Sequence, residues 1–131
     1  VFGEELIIEN AEAALRKAAK LTHSEIVDYT AGPIFMEGKE KGAHEWIIEF
    51  KKYPDDIDTF NQLLDAFLQE VNSDYEAKRY RNITLKFPKI HTARKDLFKD
   101  WLKQNDKLGG QHKIPRLSNS REFLEELLKN N

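Results

Sequence analysis

His44-Glu45-Trp46-Ile47-Ile48-Glu49-Phe50 is the stretch on which the fold turns. Its residues alternate well enough to predict a β-strand. Upstream, Glu25-Ile26-Val27-Asp28-Tyr29-Thr30-Ala31 is rich in β-branched and aromatic residues and predicts another. Between them lie turn residues, Gly32-Pro33 and then Glu37-Gly38-Lys39-Glu40-Lys41-Gly42. Two strands joined by a short polar loop predict an antiparallel hairpin.

On the N-terminal side, Ala11, Ala14, Leu15, Ala18 and Leu21 recur at helical spacing and predict an alanine-rich helix over 9–21. On the C-terminal side, Asp55 or Asp56 can cap a long helix after Pro54. Its stripe is Ile57, Phe60, Leu63, Leu64, Phe67, Leu68 and Val71. Ser73-Asp74-Tyr75-Glu76 has capping-box spacing and predicts a further short helix through Arg81. Residues 83–90 read as a third strand, which Pro88 confines to an edge or ends early. Thr92 can cap a helix carrying Leu97, Phe98, Trp101 and Leu102, and residues 107–117 read as a loop with room for a short strand. Asn119, with Glu122 three residues on, can cap a last helix striped by Phe123, Leu124, Leu127 and Leu128. The class is therefore α+β, a small, largely antiparallel sheet of about three strands flanked by helices.

At 131 residues the chain is expected to form a single domain, 1–131. Apolar residues make up 40% and charged residues 34%, and no apolar run approaches the roughly 18 residues of a membrane span. The first fifteen residues hold four glutamates and no cationic n-region. The absence of cysteine removes disulfides, thiolate metal sites and thiol nucleophiles together, and a cytoplasmic location is the expectation. The sequence opens at Val1 inside an apolar stretch, which reads as a piece of a longer chain.

Charge is unevenly spread under a net value of −2. Residues 1–77 hold 7 basic and 17 acidic side chains, whereas residues 78–121 hold 13 basic and 3 acidic. A segment this basic suits a polyanion, a nucleotide phosphate or an acidic partner. The plainer alternative is that the two halves fold against each other and neutralise.

Familiar catalytic patterns are missing. His23, His44, His91 and His112 show no metal-ligand spacing, no serine sits in a G-x-S-x-G frame, and no P-loop or dinucleotide fingerprint occurs. The chain alone does not carry a complete active site. One segment stands out, Gly109-Gly110-Gln111-His112-Lys113-Ile114-Pro115-Arg116-Leu117-Ser118-Asn119-Ser120-Arg121. Its glycines permit close approach to a ligand, and three cations follow just ahead of a helix N-terminus, an arrangement suited to phosphate oxygens. An exposed basic connector is the competing reading.

Phe2-Gly3-Glu4-Glu5-Leu6-Ile7, with Glu12 and Leu15, resembles the hinge-proximal motif of acyl-adenylate-forming enzymes. His44–Phe50, Leu68–Glu70, Asn72–Tyr80 and Lys107–Asn119 together resemble the C-terminal region of the auxin-responsive-promoter (Gretchen Hagen) family, in its bacterial-type members. That family comprises acyl-acid amido synthetases. The resemblance implies the C-terminal lid domain of a two-step ligase. An N-terminal adenylation domain, absent from this chain, would bind ATP and Mg²⁺ and convert a carboxylic acid to its acyl-adenylate. An amine or amino acid would then displace AMP, while the small domain brings cations to the developing phosphate charge and later withdraws. The implied partners are that adenylation domain and the small-molecule acid and amine, with no nucleic acid and no membrane. As an isolated piece the chain is expected to be inactive.

The resemblance also implies site residues. Adenylate-forming enzymes carry a P-[KR]-x-x-x-G-K pattern whose final Lys meets acyl and phosphate oxygens. Here Pro115–Arg121 keeps that spacing with Ser120 for the Gly and Arg121 for the Lys. Arg121 or Lys113 takes the catalytic role, or neither does. Lys113 is favoured, because the Lys-hydrophobic-Pro-Arg core at 113–116 also looks like the plant enzymes. Lys113, Arg116, Gly109 and Gly110 are the implied adenylate-binding residues, Gly3 and Glu4 form the hinge-proximal loop, and no metal ligand is expected. Trp46 and Trp101 are expected as core anchors, and Tyr75 and Tyr80 on a half-buried helix face. The alternative function is a non-enzymatic module that uses 78–121, with Tyr80, Phe87, Phe98 and Trp101, to hold single-stranded nucleic acid or an acidic protein.

Overall fold

A computed structural model describes residues 6–35, 42–82, 84–105 and 114–131. In chain order it has α1 (Ile8–Leu21), β1 (Glu25–Phe35), β2 (Gly42–Lys52), α2 (Ile57–Val71), α3 (Ser73–Arg79), a 3₁₀ turn (Tyr80–Asn82), β3 (Lys89–Thr92), α4 (Leu97–Asn105) and α5 (Glu122–Asn130). The sheet order is β1-β2-β3, with β1 antiparallel and β3 parallel to β2. The α+β class and the antiparallel pairing of the first two strands stand as expected.

β2 is central, and it is buried without a break from Ala43 to Glu49. Trp46 and Ile48 face a cluster built with α1 and α2, including Ala14, Leu15, Phe60, Leu64 and Leu68. Ile47 faces the opposite cluster, with Leu97, Phe98, Trp101, Leu124 and Leu127 of α4 and α5. Both faces of the sheet are therefore covered, and the alternation of β2 sorts side chains between two cores. Each large side chain so buried stabilises the fold by roughly 1.5–3 kcal/mol. Trp46 and Trp101 are core residues as expected.

Several boundaries differ from the sequence reading. Gly32 and Pro33 lie inside β1 rather than in a turn. Ala31 directs its backbone N–H away from β2, to Arg116 O, so Pro33, two residues on, places its missing donor on the same outer edge. Asp56 caps α2, its carboxylate accepting from Asp58 N at 3.0 Å. Asn72 caps α3, accepting from Tyr75 N at 2.9 Å, in the place read for Ser73. That helix ends at Arg79 rather than Arg81, because Arg81 and Asn82 take left-handed backbone angles (φ 53° and 55°). β3 begins after Pro88 and covers 89–92, not 83–90.

Thr92 is the last residue of β3 and not a helix cap. The amides at the start of α4 are taken by Glu49 of β2, which accepts from Asp96 N at 2.8 Å and Phe98 N at 3.1 Å. α5 starts at Glu122, later than a cap at Asn119 implies, and the Glu122 amide donates to Ser120 Oγ. Tyr75 is fully buried rather than half-buried, and its hydroxyl donates to Asp65 Oδ1 at 2.6 Å. Arg79 grips the same carboxylate with Nε and Nη2, both at 2.8 Å. Burial and the Asp65 charge push the Tyr75 phenol well up, and Asp65 raises the Arg79 guanidinium against the cost of its burial.

Candidate functional site

The basic segment singled out in the sequence lies, in its described part, along the outer edge of β1. Ile114 is buried in the α4–α5 cluster and Leu117 packs against the other core. Thr30 Oγ1 donates to Pro115 O at 2.6 Å, Ala31 N donates to Arg116 O at 2.8 Å, and Ser118 N donates to Ala31 O at 3.2 Å. The strap thus bridges to Ala31 in parallel fashion through Leu117. An otherwise open strand edge is covered there by backbone hydrogen bonds.

The two arginines of the strap turn to opposite sides of β1. Arg116 Nε lies 3.2 Å from Asp28 Oδ1, its Nη1 lies 3.7 Å from Glu12 Oε2, and the guanidinium sits over the Tyr29 ring. Tyr29 donates to Glu12 Oε2, and burial together with the Glu12 charge pushes its phenol up. This group borders a groove of about 540 Å³ between α1 and β1, lined also by Arg16, Lys20 and Val27.

Arg121 turns to the other side. Its Nη1 donates to Pro33 O at 2.8 Å and meets Glu45 Oε1 at 2.9 Å, while Nε donates to Glu125 Oε2 at 3.1 Å. Glu45 is buried and also meets His91 Nε2 at 2.6 Å. Burial raises the Glu45 carboxyl, but the hydrogen bonds from His91 and Arg121 outweigh it and hold it below the usual carboxylate range. Burial works against the Arg121 charge, and Glu125 and Glu45 more than offset it. They also compensate a cation placed where the helix dipole disfavours one. A recess of about 280 Å³ opens beside this group, between Phe35, Lys89, Glu45 and Arg121.

Of the expected site residues, the structure places Arg116 and Arg121 and sets them on different faces of β1. Gly3, Glu4, Gly109, Gly110 and Lys113 lie outside the described residues. Residues that were given no site role from the sequence complete the arrangement, above all Glu45, His91 and Asp28, and Glu12 of the hinge-proximal motif joins them. The available signal for Glu45 was its place beside Trp46 in a strand with Ile47 and Ile48, where a carboxylate must find a cationic partner or stay out of the core.

The charge asymmetry finds its partners inside the fold. Arg79 pairs with Asp65, Arg116 with Asp28 and Glu12, and Arg121 and His91 with Glu45, so basic residues of 78–121 meet acids of 1–77. Neutralisation between the halves accounts for these side chains. Tyr80 and Phe87 are exposed, with Arg81 over the Tyr80 ring and Arg79 over the Phe87 ring, whereas Phe98 and Trp101 are in the core. Among the described residues no group of three or more His, Asp or Glu could hold a metal ion. No helix there is long and apolar enough to cross a membrane.

Comparison with known proteins decides the lineage, since the model of the GH3 family C-terminal domain matches residues 9–122. The chain belongs to the GH3 family. The GH3 C-terminal domain described here matches the solved structure titled GH3.15 acyl acid amido synthetase with a TM-score of 0.75 and 16% identity. That match covers 96% of this chain and 24% of the other. A second structure, AtGH3.15 acyl acid amido synthetase in complex with 2,4-DB, matches with a TM-score of 0.73 and 16% identity, over 93% and 23% of the two chains. At that identity the likeness is one of fold, and this chain spans about a quarter of the length of these relatives. No curated protein matches the chain.

Proposed function

We propose that this GH3 domain is the mobile C-terminal domain of an ATP-dependent acyl-acid amido synthetase, working in the cytoplasm on an N-terminal adenylation domain of the same protein. The match to the GH3 C-terminal domain over 9–122 carries this reading, and the two GH3.15 acyl acid amido synthetases of like fold support it. In the first half-reaction a carboxylate oxygen attacks the α-phosphorus of ATP, and pyrophosphate leaves. In the second, an amine attacks the acyl carbon, the C–N bond forms, and AMP departs with the bonding electrons. The amine proton passes to solvent or a base.

Mg²⁺ and most contacts to ATP are assigned in this proposal to the adenylation domain, and no step here is routed through the metal. The contribution of this domain is positive charge near the phosphorus as negative charge develops, and exclusion of water. Lys113 is the proposed charge-bearing residue, with Arg116, Gly109 and Gly110 in the adenylate-facing loop and Gly3 and Glu4 near the hinge. Anchoring of Ile114 in the core, one residue on, supports a fixed departure point for that loop. The binding-module alternative loses Arg79, Arg116 and Arg121, which are engaged by internal carboxylates.

The test is pyrophosphate exchange by the full-length protein across a panel of carboxylic acids. Exchange that depends on one class of acid, with none from the 131 residues alone, is the expected result. Salt-sensitive binding of single-stranded nucleic acid with no exchange under any acid would overturn it.

A further inference from the structure

We infer that Arg121 and Glu45 form a positioning pair, and that Arg121 acts by fixing the strap 114–121 on the sheet rather than as a phosphate ligand. The inference rests on the ligase reading for its catalytic consequence. Its structural core stands on the geometry alone.

One guanidinium joins three elements. Through Nη1 it holds Pro33 O on β1 and Glu45 on β2, and through Nε it holds Glu125 on α5. Nη1 meets a carbonyl and a carboxylate at 2.8 and 2.9 Å while a second nitrogen, Nε, meets Glu125 at 3.1 Å, a spread over two nitrogens of one rigid plane that a single ammonium group does not reproduce. The anchor at the far end is firm. Glu45 is buried on the central strand and held on its other oxygen by His91 of β3.

The close fit around the fork leaves little room for the strap to shift. A Cβ on Gly32 would stand 3.3 Å from both Leu124 Cδ2 and Ser120 O, so α5 and the residue before Arg121 press directly on β1. At its other end the strap is held by Thr30 and Ala31 and by Arg116 on Asp28. Arg121 is thus the closing tie of a strap fastened along its length. Loosening it displaces Ser118–Arg121 while leaving the ATP-binding surface of another domain untouched. The expected signature is a fall in turnover without a rise in KM for ATP.

Arg121→Lys is the informative variant, because lysine is the residue the wider adenylate-forming pattern carries at this spacing. If charge alone matters, lysine serves as well as arginine. If the fork matters, Arg121→Lys lowers kcat for pyrophosphate exchange in the full-length protein by about tenfold to 10²-fold, with KM for ATP unchanged. Glu45→Gln is expected to do the same, and the double variant no more than either single one, since both remove one interaction. The second half-reaction, started from preformed adenylate, is expected to keep its rate.

An Arg121→Lys protein as fast as wild type overturns the inference. Equal losses in both half-reactions do so too, since they mark support of the fold only. Thermal unfolding of the four proteins supplies a readout independent of activity. Non-additive shifts in Tm are expected, and additive shifts mean that the pair is not coupled. If wild-type protein shows no exchange with any acid, the ligase reading falls and the positioning role with it, while coupling in the Tm values still reports the tie itself.

Discussion

Glu49 Oε1 lies 3.1 Å from the backbone nitrogen of Phe98, so a buried acid on the central strand caps a helix that begins 48 positions later in the chain. With its other oxygen it takes Asp96 N, and the carboxylate also faces the positive end of the α4 dipole.

Glu49→Ala leaves those amides without an acceptor inside the protein. A loss of about 2–3 kcal/mol in unfolding free energy is expected from the missing cap and the unsatisfied donors. Denaturant unfolding measures the loss, and amide exchange locates it. Faster exchange confined to 97–105 supports the capping role, and unchanged protection there counts against it.

The Asp65 network predicts a steeper effect. Asp65→Ala strands the buried Arg79 guanidinium and the Tyr75 hydroxyl together, and about 3–5 kcal/mol is expected, the usual range for breaking one side of a buried pair. Tyr75→Phe removes one hydrogen bond and keeps the ring, so about 1 kcal/mol is expected. Equal losses in the two variants, by chemical denaturation, would show that the charge pair contributes little.

Acid sensitivity follows from Glu45. Its folded carboxyl is held below the value of an unfolded glutamate, about 4.3. The stabilisation is therefore complete above that pH and is lost as pH falls through the lower, folded value. Wild type is expected to exceed Glu45→Gln in stability at neutral pH, with the gap narrowing in the acid range. A urea-unfolding series across that range tests it, and a gap that does not change with pH refutes it.

For the first half-reaction, Lys113→Ala in the full-length protein is expected to slow adenylation by about 10²–10³-fold, the scale of losing one preorganised contact to developing charge. ATP binding is expected to weaken far less. Single-turnover measurement of adenylate formation separates the two quantities. Normal adenylation by the Lys113→Ala protein would move the role elsewhere in the loop.

The sheet and its helices were legible because their signals are local. The stripe of α2, the Asp56 cap and the apolar run of β2 each lie within a few residues. What the sequence concealed is non-local. Thr92 was a plausible cap by spacing, but Glu49 holds that helix from across the sheet. Pro33 argued for a turn, and only its outward-facing nitrogen on an edge strand reconciles it with β1. Arg116 and Arg121 were legible as a pair of cations but not as neighbours of Asp28 and Glu45, since no spacing rule joins residues so far apart. The surplus of positive charge was real, yet Arg79, Arg116 and Arg121 find their counter-ions in the first half of the same chain.

The hydrogen bond from Thr30 to Pro115 spans 85 positions, against 15 between Ala31 and its hairpin partner Trp46. Loop-closure entropy makes such a distant contact expensive until the intervening chain is organised. The hairpin and the α1–α2 layer are therefore expected to assemble first, with the strap docking as the final event on the folding route. Reversibility gives the same segment the lowest cost of release from the finished molecule. Brief partial openings at the β1 edge would then precede global unfolding, exposing Ala31 and the flank of Leu117 to proteases while the central sheet stays closed.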